Sequence, residues 1–122
     1  MAKTIMIVDD SASLRQVVSI ALKGAGYDTM EACDGKDALA KLGSKKINLI
    51  ISDVNMPNMD GITFVKELKK NPKHKFTPVI MLTTESQAEK KAQGQAAGAK
   101  AWVVKPFQPQ QMLTAVGKLV LP

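Results

Sequence analysis

With Cys33 as its only cysteine, the 122-residue chain has no partner for an internal disulfide and no thiolate cage for a metal. Cys33 reads as a small residue closing a strand. Aromatic residues make up only 4% of the chain, so the core must be aliphatic and rich in methionine. No apolar run approaches the roughly 20 residues that cross a bilayer, and the start Met1-Ala2-Lys3-Thr4 leads straight into a strand pattern rather than a signal peptide. A cytoplasmic protein without a membrane anchor is expected.

The formal charge of +6 raises the question of nucleic acid. The lysines are scattered over several predicted helices and loops, however, with neither aromatics nor arginines interleaved, and direct binding of DNA or RNA is not expected. The densest basic stretch, Lys66 to Lys75, reads as a solvated helix end and loop, with His74 a surface imidazole.

The apolar content, 45%, is enough for one domain spanning residues 1–122 to bury a core. It is concentrated in runs. Ile5-Met6-Ile7-Val8 ends at the acid pair Asp9-Asp10, Leu49-Ile50-Ile51-Ser52 ends at Asp53, Pro78 to Leu82 ends at Thr83, and Lys100 to Val104 ends at Lys105-Pro106. Tyr27 to Ala32 reads as a shorter strand before a turn at Asp34-Gly35.

Between the runs the period changes to that of helices. Leu14, Val17, Val18, Ala21 and Leu22 stripe a first helix, and Ala38, Leu39 and Leu42 a second. Ile62, Val65 and Leu68 face inward from a third, after the loop Asn55 to Gly61. Ser86 to Ala97 predicts a loosely packed fourth helix whose stripe is only alanine and which Gly94 interrupts at a cost near 1 kcal/mol. Pro109 to Leu121 predicts the last, opened by a first-turn proline. Five β-α units in succession imply a parallel sheet with helices on both faces. Their strand ends share one edge, where open α/β folds hold ligands.

Adjacent carboxylates ending a buried strand resist desolvation unless a cation or a proton neutralises them. A hard divalent ion suits them. Asp9, Asp10, Asp53, Thr83 and Lys105 would then face one crevice, three carboxylates with a hydroxyl and an amine.

These blocks, Asp9-Asp10, Asp53 in Ile-Ile-Ser-Asp-Val-Asn-Met-Pro-Asn-Met-Asp-Gly, Thr83 in Met-Leu-Thr-Thr-Glu, and Lys105-Pro106-Phe107, resemble those of the receiver domains of two-component response regulators. The resemblance covers essentially the whole chain and is strongest to single-domain chemotaxis regulators. It implies a flavodoxin-like, doubly wound five-stranded sheet of order 2-1-3-4-5 with five helices and no output domain. It implies phosphorylation of Asp53 by a histidine kinase, with Mg²⁺ held directly by Asp10, Asp53 and the Asn55 carbonyl, and by Asp9 through water. Lys105 and Thr83 would contact the phosphoryl oxygens, Asn55 and Glu85 would tune hydrolysis, and the Lys105-Pro106 bond would be cis.

The family commonly places Tyr or Phe where Trp102 stands, a ring that moves with the threonine. Thr83 and Trp102 are therefore the expected switch. By the same resemblance the chain would act as a monomer that catalyses only its own phosphotransfer and dephosphorylation. Its phosphorylated form would engage a flagellar motor switch protein through Lys90, Lys91, Gln95, Trp102, Gln111 and Lys118, or pass the group to a histidine phosphotransfer domain as a relay intermediate or phosphate sink. Two rivals fit less well. An aspartyl-nucleophile phosphatase shows Asp-x-Asp, whereas Asp53 precedes Val54-Asn55; a flavin module needs a glycine-rich phosphate loop where Asp9-Asp10 would repel phosphate.

Overall fold

The alternating pattern resolves into ten elements in the computed structural model, which describes residues 3–43, 45–84 and 88–120. In chain order they are β1 (Thr4–Val8), α1 (Ala12–Gly24), β2 (Asp28–Ala32), α2 (Gly35–Leu42), β3 (Leu49–Asp53), α3 (Gly61–Leu68), β4 (Val79–Thr84), α4 (Ala88–Ala97), β5 (Ala101–Lys105) and α5 (Pro109–Leu119). The strands pair in parallel in the order β2-β1-β3-β4-β5, the doubly wound flavodoxin-like topology.

Strand alternation divides the core between two faces. Met6, Val8, Ile50 and Met81 pack under α2 and α3 with Phe64, Val65 and Leu68. Ile5, Ile7, Leu49, Ile51 and Leu82 pack under α1 and α5 with Val18, Leu22, Met112 and Val116. Because helices cover both faces, β3 is buried at every position and reads as an unbroken apolar run. Helix starts are capped by short polar side chains: Ser11 Oγ accepts from the Leu14 amide and Asp60 Oδ1 from that of Thr63.

Several details depart from the sequence reading. Tyr27 precedes β2 and is buried, its hydroxyl donating to the Val120 carbonyl at 3.0 Å. Val17, assigned to the inward stripe of α1, is half exposed. His74 is buried rather than a surface imidazole, with Nε2 at 3.3 Å from the Gly43 carbonyl, so it ties the loop after α3 to the one after α2. Lys69 in the same basic stretch is half-buried and donates to the Thr77 carbonyl at 2.6 Å. Ser86, the expected start of α4, lies outside the described residues. No described helix is long and apolar enough to cross a membrane.

Candidate functional site

Strand register assembles the site. Val8 of β1 pairs with Ser52 of β3, so the residues that follow, Asp9 and Asp53, emerge side by side at the point where the strand order reverses. Asp53 pairs with Leu82, which sets Thr83 one step further along β4, and Thr84 pairs with Lys105 at the end of β5. All five residues named from the sequence therefore meet at the carboxyl edge.

Asp9 is fully buried, its amide donating to the Ala32 carbonyl and its Oδ1 accepting from the Ser11 amide at 2.8 Å. Arg15 donates to the Asp9 carbonyl and pairs with Glu31 at 3.1 Å, fixing the turn out of β1. Asp10 is exposed and Asp53 buried. The Lys105 ammonium reaches across from β5 to lie 3.2 Å from Asp9 Oδ2 and 3.2 Å from Asp53 Oδ1. Each of the three aspartates offers a carboxylate oxygen within 4.8 Å of the others.

The charges do not balance. Burial, and then the neighbouring Asp9 carboxylate, push the Asp53 carboxyl above its ordinary pKa, and Lys105 offsets this only in part. For Lys105 burial acts downward, but Asp53 and Asp9 outweigh it and hold the amine above its ordinary value. One ammonium thus stands among three carboxylates and pairs with two of them. Oxygen donors alone, in negative excess, fit a hard divalent cation such as Mg²⁺ and not a soft metal.

Thr83 is buried beside this cluster. Asn55 is exposed two residues beyond Asp53, and Glu85 lies outside the described residues. The Lys105-Pro106 bond is cis, as the resemblance implied. Cys33 is exposed directly after β2, its thiol held above its ordinary pKa by desolvation and by Asp37 and Asp34, which matches a structural role rather than a reactive one.

Two supporting residues were not singled out from sequence, and a third was noted there for a different reason. A methyl group on Gly61 would stand 2.1 Å from the Asp53 carbonyl oxygen, so only glycine lets α3 start against the end of β3. Asn58, at φ 67°, donates to Asp34 at 2.8 Å and anchors the loop beyond Asp53 to the start of α2. Gly94, read as a helix defect, is a packing notch: a methyl group there would stand 2.4 Å from Trp102 Cη2. The indole lies against α4, with no hydrogen-bond partner for Nε1 among the described residues.

Comparison with known proteins agrees with this arrangement. The family model of the response regulator receiver domain matches residues 5–117. The chain is 38% identical over 112 residues to Protein PilG of Pseudomonas aeruginosa, covering 92% of this chain and 83% of that protein. It is 37% identical over 111 residues to the phosphate regulon transcriptional regulatory protein PhoB of the same organism, covering 91% of this chain and 48% of that longer protein. The solved structure of the chemotaxis response regulator CheY4 of Vibrio cholerae superposes with a TM-score of 0.93 at 47% identity, covering 98% of this chain and 100% of that one. With its acid cluster, hydroxyl and lysine set on the expected strand ends, the chain belongs to the response regulator receiver domain family.

Proposed function

We propose that the chain is a Mg²⁺-dependent phosphoacceptor in two-component signalling, modified on Asp53 by a histidine kinase and acting in chemotaxis-type control. The observation that carries this reading is the Lys105 ammonium held 3.2 Å from both Asp9 and Asp53, a positive charge already placed beside the acceptor. An Asp53 oxygen forms the new P–O bond as the P–N bond of a phosphohistidine breaks, the electron pair leaving on the imidazole nitrogen.

Two like-charged groups must meet in that step, so positioning and neutralisation dominate. Lys105 supplies part of the neutralisation. Asp9, Asp10, Asp53 and the Asn55 carbonyl are the groups that would hold Mg²⁺, which when bound neutralises further charge and orients the phosphoryl oxygens. The Thr83 hydroxyl donates to a phosphoryl oxygen, a charge-assisted bond worth about 1.5–3 kcal/mol that ties the modification to β4. Asn55, exposed at the mouth, and Glu85 are placed in sequence to govern water attack on the acyl phosphate. The chain acts only on its own phosphoryl group: no second acid follows Asp53 to protonate a leaving group.

The output is binding, on the face of α4, β5 and α5, where a groove of about 620 Å³ runs along Trp102, Val104, Gln111 and Lys118. The likeness to CheY4, a chemotaxis response regulator, favours a flagellar motor switch protein as target. Incubation with acetyl phosphate and Mg²⁺ should add one phosphoryl group by mass spectrometry, none in Asp53→Asn and far less in Asp10→Ala. Undiminished labelling of Asp53→Asn defeats the assignment. Beryllofluoride-loaded protein should then retain a motor switch domain in preference to a histidine phosphotransfer domain; the reverse preference marks a relay intermediate.

A further inference from the structure

At the opposite edge of the sheet, where β4 and β5 begin, a second feature is unconnected with the aspartates. Phe76, 86% exposed, stands beside a cavity of about 300 Å³ lined by Lys69, Lys75, Gly98 and Lys100. It is the chain's most exposed large apolar side chain among the described residues, and it sits in a sequence with only three phenylalanines. The Lys75 ammonium lies 5.6 Å from its ring centroid.

The floor of the cavity is ordered. The Lys69 stem passes over Gly98, where a methyl group would meet Cε at 3.2 Å, and its amine is held by the Thr77 carbonyl. Desolvation, and then the nearby Lys100 charge, push the Lys69 amine below its ordinary pKa, so an incoming anion would relieve an existing electrostatic cost. Among the described residues no carboxylate pairs with Lys69, Lys75 or Lys100. Lysines near helix ends often serve the helix dipole. That accounts for Lys69 after α3, but not for Lys75 or for an aromatic ring left in solvent.

The charge of the whole chain points the same way. From Leu68 onward nine lysines stand against two glutamates, Glu85 and Glu89, while the first 67 residues nearly balance. We propose that the Phe76 cavity docks an acidic segment of a partner protein, a bulky apolar side chain seated against Phe76 and flanking carboxylates on Lys75 and Lys100. A concave pocket with one ring suits an inserted side chain better than a lipid surface, which calls for a broad apolar face. Nucleic acid is disfavoured by a chain with a single arginine. A second copy of so basic a chain would be repelled.

The test is fluorescence anisotropy with a labelled peptide carrying one central Leu between Asp and Glu residues. Wild type should bind it, and Phe76→Ala or Lys75→Glu should weaken binding at least about fivefold, the size expected for loss of an interface anchor. Amide shifts should centre on residues 69, 75, 76, 98 and 100. Both variants should still accept a phosphoryl group from acetyl phosphate at the wild-type rate, which shows that they are folded and separates this result from the fate of the Asp53 assignment. Equal binding of an Asn/Gln version of the peptide, tighter binding of phosphatidylglycerol vesicles or of single-stranded DNA, or shifts centred on α5 would each overturn the proposal.

Discussion

Gly61 shows how little freedom the site leaves at single positions. A Cβ there would stand 2.1 Å from a backbone oxygen, that of Asp53, and 2.9 Å from Met81 Cε. The methyl end of Met81 can turn aside, but the carbonyl can move only with the end of β3. Gly61→Ala should therefore cost about 1–3 kcal/mol, the range for overpacking, as a fall in the urea midpoint. It should also lower acetyl phosphate labelling of Asp53, because the displaced atom belongs to the acceptor residue; unchanged midpoint and labelling would show that the contact is relaxed in solution. The acids, Thr83 and Lys105 were legible in the sequence because each ends an apolar run. Gly61 was not, since its constraint comes from a strand end eight residues earlier in the chain, which only the fold brings against it. His74 was misjudged for a related reason: the lysines around it mark a solvated loop, yet its own ring turns inward to Gly43.

For the elements, periodicity and turn residues were sufficient to place every strand and helix, and weakest where packing overrides propensity. Helix α4 is the case in point. Gly94 costs about 1 kcal/mol in propensity relative to alanine, which favours Gly94→Ala if the helix is considered alone. The indole of Trp102 reverses that expectation, since the added methyl would overlap Cη2 and Cζ2. In Gly94→Ala the indole must leave α4, and its emission should shift to the red without any ligand. Wild-type emission should respond to beryllofluoride with Mg²⁺, and the response should vanish in Thr83→Ala if β4 carries the signal. The sequence marks Trp102 as a departure from the family's usual ring. It cannot show where the larger ring is housed, because residues 94 and 102 meet only across the packing of α4 on β5. A Gly94→Ala spectrum identical to wild type would mean that the indole does not occupy the notch.

Over the whole molecule the topology follows from alternation and handedness, and the carboxyl edge of the sheet gathers the acids as open α/β folds do. The balance of charge is legible from composition alone, a formal +6 with nine lysines against two glutamates from Leu68 onward. Folding brings that excess of like charge closer together than it lies in the extended chain. The unfolded chain can relax that crowding by expanding; the native state cannot. Simple electrolyte should accordingly stabilise this protein. Raising NaCl from about 10 to 150 mM shortens the Debye length from roughly 30 to 8 Å, and the thermal midpoint should climb by a few degrees over that interval and flatten beyond it. A midpoint that stays level or falls would mean that the excess positive charge is already compensated in the native state, and that its cations are not in competition with one another for the same space.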